Sequence, residues 1–237
     1  MPRGQLTGMR RLLMVALLLT GCGPKSPAGV WVQQRSSCEI LSDNTVVFTE
    51  VKDVQVQGFR YGQKFSEMRP QTTLFLGQLD LKDQPATVTL HSPSVMGKVP
   101  VRELKLELQP GQRQLKVDGQ VWSEKPLMPD KNLCGWWKQK NVSHWVLLTP
   151  GGSLVQIGTV LRRTGTSNYN SWDWLVGEGA RYEVSQGKFI LIVDTDQKIE
   201  TTFEQKGDDV KMMSDQYERV KTPFRLSWDQ DGHPQVP

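Results

Sequence analysis

Leu104-Lys105-Leu106-Glu107-Leu108-Gln109-Pro110-Gly111 is the stretch that decides the fold of this chain. Its three leucines alternate with charged or polar residues, and a period of two is typical of a β-strand with one buried and one solvated face. The Pro-Gly pair predicts a turn, after which a return strand is expected from Leu115 to Trp122. The stretch therefore predicts an antiparallel hairpin.

Similar signals recur along the rest of the chain. Short runs rich in Val, Ile, Thr and Phe are separated by turn signals about every 8 to 12 residues, with almost no helical periodicity outside the N-terminal run. This pattern predicts an all-β protein with one or two small antiparallel β-barrel or sandwich domains. Two polar segments are not expected to be regular strands: 58–70 is irregular, and 162–170 is predicted to be a loop.

The opening of the first β-rich block recurs later in the chain. Gly135-Trp136-Trp137 echoes Gly29-Val30-Trp31, and each follows a polar stretch that contains proline. A duplication is one explanation and a chance match is the other, because the shared stretch is short. We predict a β-rich domain over 29–125, a linker over 126–132, a second β domain over 133–222 and a tail over 223–237, held by Phe224, Leu226 and Trp228.

The N-terminus has the layout of a secretory signal. Arg10 and Arg11 precede an apolar run that is too short to span a bilayer, which needs roughly 20 residues. A buried helix is the alternative, and Met9 is a second candidate start. The run ends in Leu19-Thr20-Gly21-Cys22, which resembles the lipobox of bacterial lipoproteins.

That resemblance implies a signal peptide over 1–21, acylation of Cys22 with palmitate among its acyl chains, and a flexible tether over 22–28. By resemblance to enterobacterial lipoprotein sorting, Gly23 after Cys22 implies attachment to the outer membrane, facing the periplasm. Several acyl chains on one residue are enough for stable anchoring.

The charge balance is nearly neutral once the signal is removed. The whole chain has 29 basic and 25 acidic residues, and loss of Arg3, Arg10 and Arg11 would leave 26 and 25. A mixed surface of this kind gives no support for binding to nucleic acid.

Two cysteines remain after the acylated one. Cys38 and Cys134 would lie in a compartment that permits disulfides, so we predict a structural disulfide between them. The alternative is two buried thiols. Their spacing indicates neither a redox motif nor a zinc site.

The second half resembles the small lipocalin-like domains of bacterial lipoproteins over about 133–220. The resemblance implies an up-and-down β-barrel with an apolar interior, and it licenses no specific ligand because the functions of the family vary. It rests on the order of these motifs: Gly135-Trp136-Trp137, Thr149-Pro150-Gly151-Gly152-Ser153, Gly179-Ala180-Arg181-Tyr182-Glu183-Val184, Gly187-Lys188-Phe189-Ile190, Phe203, Gly207-Asp208-Asp209-Val210 and Tyr217-Glu218-Arg219-Val220.

Tryptophan is the main excess in the composition, with eight residues. Large aromatic side chains either line a ligand cavity or fill a small barrel, and both readings stay open. The ligand-binding candidates are Trp137, Trp145, Trp172, Trp174, Tyr182 and Phe203.

The sequence predicts no catalytic or metal site. His91, His144 and His233 lack a second ligand at a metal-binding spacing, and no hydrolase, phosphate-loop or metalloprotease motif occurs. We therefore expect a non-enzymatic, lipid-anchored envelope protein without a cofactor. Its predicted role is to bind an apolar or amphipathic small ligand in a β-barrel. The alternative is a protein-interaction lipoprotein, of the assembly, inhibitor or immunity type, that binds another envelope protein.

Overall fold

The computed structural model describes residues 28–80, 85–92, 101–108, 114–126, 132–164, 167–174, 181–192, 198–221, 226–230 and 234–235. Every regular element in these ranges is a β-strand, so the all-β prediction is confirmed. The described part of the chain contains no helix long and apolar enough to cross a membrane. The predicted signal and Cys22 lie outside the described residues.

The first eight strands close into an antiparallel barrel. Each strand pairs with the next one, and β8 returns to pair with β1. Alternate side chains point inward and form one buried apolar cluster that includes Trp31, Phe48 and Trp122. The strands are β1 (Gly29–Gln33), β2 (Ser36–Ile40), β3 (Thr45–Arg60), β4 (Gln63–Gln78), β5 (Ala86–His91), β6 (Val101–Leu108), β7 (Gln114–Val117) and β8 (Gln120–Glu124).

The predicted hairpin is confirmed as β6 and β7, in which Leu108 faces Leu115. Its return strand is shorter than predicted. Asp118 and Gly119 both have a positive φ, of 50° and 79°, so a tight turn ends β7 and Trp122 belongs to β8. Both central residues of a type I′ turn need this left-handed backbone, which glycine adopts readily.

The remaining strands form a second set. Seven of them make one sheet in the order β12-β11-β10-β9-β18-β17-β16, and β13-β14-β15 make another, linked to the first by a bridge between Ser153 and Arg181. The strands are β9 (Gly135–Gln139), β10 (His144–Leu148), β11 (Leu154–Thr164), β12 (Ser167–Trp174), β13 (Arg181–Ser185), β14 (Lys188–Ile192), β15 (Lys198–Thr202), β16 (Glu204–Lys206), β17 (Asp209–Met212) and β18 (Asp215–Arg219).

The second set begins in the same way as the first, with a hairpin in which a glycine faces the last residue of the following strand. Gly29 faces Ile40 in β1 and β2, and Gly135 faces Leu148 in β9 and β10, so Trp31 and Trp137 hold equivalent positions. The corner that follows this hairpin is closed by matching backbone hydrogen bonds in the two sets. In the first set Leu41 N donates to Thr45 O and Leu79 N donates to Asn44 O, both at 2.9 Å. In the second set Thr149 N donates to Ser153 O at 3.0 Å and Tyr182 N donates to Gly152 O at 2.9 Å.

A shared apolar cluster, called here the central cluster, joins the two sets. It combines outward-facing residues of the first barrel with outward-facing residues of β9, β10 and β11, so the two sets pack directly against each other. Its buried members are Leu41, Val47, Leu74, Leu76, Trp136, Trp145, Leu147, Val155, Ile157 and Leu226.

The C-terminal tail crosses both sets. Leu226 belongs to the central cluster, and Trp228 stacks on His91 of β5 with the ring centroids 4.0 Å apart. Two short strands continue it, β19 (Ser227–Trp228) and β20 (Pro234–Gln235). Leu226 and Trp228 therefore both make packing contacts with the strand sets, whereas Phe224 lies outside the described residues.

Two predictions of irregular structure are wrong. Residues 58–70 are strands of a long β3–β4 hairpin, and 162–170 belong largely to the strands β11 and β12. The β3–β4 pairing runs unbroken from Thr45 opposite Gln78 to Arg60 opposite Gln63. A ribbon exposed on both faces does not need alternating polarity, so the sequence signal for its strands is weak.

The predicted disulfide is also wrong, because Cys38 and Cys134 are not joined. Cys38 points into the interior of the first barrel, where burial raises the pKa of its thiol. Cys134 lies just before β9, with its Sγ 4.0 Å from the Tyr182 hydroxyl oxygen. The two thiols thus have separate environments in different strand sets.

Candidate functional site

The predicted ligand-binding residues do not come together in one site. Trp137 is fully buried in the interior cluster of the second set, and its indole N–H donates to Leu133 O at 2.8 Å. Tyr182 is buried there too, and its hydroxyl donates to Thr149 O at 2.8 Å. Phe203 packs against the same cluster. These three side chains fill the interior, and the indole N–H of Trp137 and the hydroxyl of Tyr182 both have hydrogen-bond acceptors there.

The other predicted tryptophans lie elsewhere. Trp145 belongs to the central cluster, with Lys138 Nζ 5.4 Å from its ring centroid. Trp172 and Trp174 are in β12, opposite Thr159 and Ile157 in the register, and their side chains lie outside the described residues. Trp145 therefore supports the contact between the two strand sets.

The β3–β4 hairpin is the most exposed feature of the described structure. No described side chain between Glu50 and Thr73 is buried, and we call this segment the arm. Ten residue steps from Glu50 to Arg60 correspond to about 33 Å of extended strand. An isolated two-stranded ribbon is marginally stable in water, so an arm of this length needs a reason beyond folding.

Large apolar side chains concentrate near the tip of the arm. Phe59 is 71% exposed, Tyr61 is 99% exposed and Met68 is 63% exposed. Tyr61 and Gly62 both have a positive φ and form the tight turn at the tip. Lys64 faces Phe59 across the ribbon, with its Nζ 5.9 Å from the ring centroid. Exposed apolar groups beside a cation are typical of a contact surface.

One face of the arm has a small apolar row of its own. Phe65 lies over Gly58, where a Cβ would come within 2.8 Å of the phenylalanine ring. Val54 and Val56 continue this face toward the barrel. Glycine at position 58 therefore leaves room for the Phe65 ring to lie across the ribbon. The ring in turn covers the backbone at Gly58.

Charged contacts hold the root of the arm. Glu50 accepts a hydrogen bond from Arg102 Nη1 at 2.7 Å, and the Arg102 guanidinium lies 4.9 Å from the centroid of the Phe48 ring. Burial alone would raise the pKa of Glu50, but Lys52 and Arg102 hold it below its usual value. The arm is thus tied to β6, and its direction is set by the barrel.

The arm and the N-terminus leave opposite ends of the first barrel. Gly29 is level with Ile40, which pairs with Val46 at the start of β3. From that level β3 runs past Thr49 and out into the arm, so the tip points away from the end at which residue 28 enters.

A polar cleft of about 550 Å³ lies in the second strand set, lined by Asn132, Gln205, Gly207, Asp208 and Arg219. Its charged groups already have partners. Arg219 Nη1 donates to Cys134 O at 2.9 Å, and its guanidinium lies 4.3 Å from the Trp137 ring centroid. Asp208 pairs with Lys221 at 2.7 Å. The charged side chains that line the cleft, Asp208 and Arg219, are therefore already engaged within the protein.

Within the described ranges, His, Cys, Asp and Glu side chains form no group of three or more that could hold a metal ion. No protein-family model, curated protein or solved structure matches this chain. Its function is therefore inferred from its own residues and geometry.

Sequence reasoning missed the arm as a candidate site. The available signals were Tyr61-Gly62 between two runs rich in Val, Phe and Thr, and the absence of acidic residues from Val54 to Ser66. Neither signal shows how far a hairpin extends beyond the barrel, because that depends on which strands it meets there.

Proposed function

We propose that this chain is a non-enzymatic, lipid-anchored envelope protein that binds another envelope protein through the arm. The exposure of Phe59, Tyr61 and Met68 on a ribbon outside the apolar clusters carries the proposal. Side chains of these types are enriched where proteins bind one another. The anchor is the lipobox-like Cys22 read from the sequence.

The direction of the arm supports a partner other than the anchoring membrane. A tether that enters beside Gly29 leaves the tip at the far end of the barrel. From the level of Val46 to Arg60, β3 advances by about 45 Å. The partner is therefore met on the side that faces away from the lipid.

Photo-crosslinking tests this proposal on the full chain in its membrane. A photoreactive phenylalanine analogue at Tyr61 or Met68 should give a protein adduct of defined mass. The same analogue at Val142, which is 49% exposed in the second strand set, is the matched control and should give none. Equal adducts at Tyr61 and Val142 would count against a specific contact.

Truncation of the arm tests the same proposal independently. Replacing 51–72 by Asn-Gly retains Glu50 and Thr73 and removes the exposed ribbon, because that dipeptide favours a tight hairpin turn. The variant should keep its free energy of unfolding within about 1 kcal/mol of the parent, since surface changes have small effects. It should lose the partner, and retention of that partner would place the contact elsewhere.

Binding of an apolar ligand inside a barrel stays a prediction with less support. Trp31 and Trp122 occupy the interior of the first barrel, and Trp137, Tyr182 and Phe189 occupy that of the second set. Titration of tryptophan fluorescence with apolar probes measures this activity, and a saturable response would favour it.

A further inference from the structure

Charges are distributed unevenly along the arm. Between Val54 and Ser66 the sequence has two basic residues, Arg60 and Lys64, and no acidic one, so the tip carries a net charge of +2. Nearer the root, acidic and basic side chains are paired with each other. The ion pairs of the root are Lys52–Glu50, Arg35–Asp53 and Arg69–Glu67. The positive charge of the arm is therefore concentrated at its tip.

One face of the tip combines a cation with apolar side chains. Phe59 faces Lys64 across the ribbon, and Gln55 faces Met68. Directly opposite residues of an antiparallel pair lie on the same face, so Phe59, Lys64 and Met68 share one surface, called here the tip face. Between its two ends, Gln55 Nε2 donates to Ser66 Oγ at 2.8 Å. The tip face is thus apolar at two points and positive at one.

The edges of the arm are poorly suited to the addition of another strand near the root. On the β3 side, Val51 N already donates to Ser36 Oγ at 3.3 Å, and Arg35 Nη1 lies 2.9 Å from Asp53 Oδ1. On the β4 side, Pro70 has no N–H to donate. The exposed apolar side chains lie beyond these obstacles, toward the tip. A partner is therefore expected to meet the arm end-on.

A partner that covers the tip face also removes water from its cation. Lys64 Nζ lies 5.9 Å from the Phe59 ring centroid, so a surface packed on the ring also covers the ammonium group. Glu67, the nearest acidic residue along β4, is on the opposite face and pairs with Arg69. A charge that loses its water without gaining a counter-charge is costly. A purely apolar pocket would therefore fit this face poorly.

We propose that the partner is a protein with an acidic cleft, which takes the tip end-on and places a carboxylate beside Lys64. This inference rests on the arm as the interaction element, and it names the chemistry of the surface that the arm meets. Tyr61, at the turn and 99% exposed, enters the cleft first. From Gln55 to Tyr61 the ribbon advances by about 20 Å, which sets the depth of the cleft.

Carbodiimide cross-linking of the full chain in its membrane tests for the carboxylate directly. The reagent condenses an amine with a carboxylate in contact with it, which forms an amide and releases the reagent as its urea. The adduct should contain the protein captured by the photoreactive analogue at Tyr61, joined through a peptide that contains Lys64. Lys64→Arg should remove this adduct, because a guanidinium does not form the amide. Lys105→Arg, exposed on β6, is the matched control and should keep it.

Photo-crosslinking from Met68 separates charge from shape. Lys64→Glu should lower the yield of the protein adduct by about tenfold or more, because it places two negative charges together in the cleft. Lys64→Arg keeps the positive charge and should retain most of the adduct. Lys105→Glu, outside the arm, is the control for a change of net charge. Added salt should lower the yield of the parent, because it screens the pair.

Unfolding in urea shows whether Lys64→Glu acts through the contact alone. Lys64 is exposed and outside the apolar clusters, so the midpoint of this variant should match that of the parent. Loss of the adduct with an unchanged midpoint then reports on the tip face, not on folding.

An adduct of Lys64→Glu equal to that of the parent would overturn the acidic cleft, as would a carbodiimide-linked peptide without Lys64. A lipid adduct at Met68 in place of a protein adduct would also overturn it. The proposed function fails separately, if the arm-truncated chain still captures its envelope partner. Loss of that partner on truncation, with no effect of Lys64→Glu, would leave the interaction role standing and reject only the acidic cleft.

Discussion

Glu39 shows how much one residue contributes to the contact between the strand sets. Its carboxylate leaves the first barrel, is fully buried, and accepts hydrogen bonds from Gly151 N at 2.6 Å and Ser153 Oγ at 2.7 Å. A Cβ at position 151 would lie 2.5 Å from the carboxyl group, so this corner of the second set requires glycine. Burial raises the pKa of Glu39, and the hydrogen bonds only partly oppose it.

Substitution of Glu39 separates hydrogen bonding from charge. Glu39→Ala should lower the free energy of unfolding by about 2–6 kcal/mol, because it leaves Gly151 N–H and Ser153 O–H without their acceptor, at about 1–3 kcal/mol each. Glu39→Gln keeps an acceptor for Gly151 N–H, so it should change the free energy of unfolding by less than about 1 kcal/mol. Urea denaturation measures both variants, and an equal loss in both would contradict this account.

The same residue predicts a pH dependence. A carboxyl group with a raised native pKa binds its proton more tightly in the folded state, so its contribution to stability is complete below the unfolded pKa of about 4.5. That contribution is lost as the pH rises through the native pKa. Above pH 4.5 the parent should therefore lose stability relative to Glu39→Gln. The free energy of unfolding of both proteins, measured as a function of pH, shows this difference.

At the scale of elements, the C-terminal segment 226–230, called here the strap, packs against the outside of the first barrel. Trp228 stacks on His91 with an interplanar angle of 16°, and burial lowers the pKa of that histidine. A lowered histidine pKa stabilises the fold above about pH 6.5, and this contribution is lost as the pH falls through the native pKa. The stacking of Trp228 on His91 is thus expected to favour the neutral form of the His91 imidazole.

Trp228→Ala should expose His91 and raise its pKa toward 6.5, at a cost in stability of about 1–3 kcal/mol. His144, which packs edge-on against Tyr217 and whose pKa is also lowered by burial, is the internal control. NMR titration of both imidazoles measures the effect. An unchanged pKa at His91 would show that the strap does not bury it.

At the scale of the whole molecule, the two strand sets and the arm have different roles. The central cluster makes the sets one packed body, because residues of both bury their outer faces there. The arm extends from that body on the side away from the predicted lipid anchor. A rigid body held at one end and an exposed ribbon at the other suit a protein that presents a contact surface at a distance from the membrane.

Cys22→Ser tests the anchor. The variant should fold with unchanged tryptophan fluorescence, because the described strands start at Gly29, and it should move from the membrane fraction to the soluble fraction. Arg3→Ser, earlier in the predicted signal, is a control that should keep the membrane location. A Cys22→Ser chain that still sediments with membranes would reject the lipobox assignment.

Alternation of apolar and polar residues was enough to identify most of the strands. In a half-buried strand every second side chain faces the core, so burial produces a local period of two in the sequence. The hairpin of β6 and β7 is an example. Closure of the first barrel, the central cluster and the separation of Cys38 from Cys134 were decided only by the tertiary structure. Each depends on contacts between residues far apart in the chain, which leave no local pattern. The arm belongs to the same class: both of its faces are solvated, so only the strands that stop short of it reveal where the barrel ends and the arm begins.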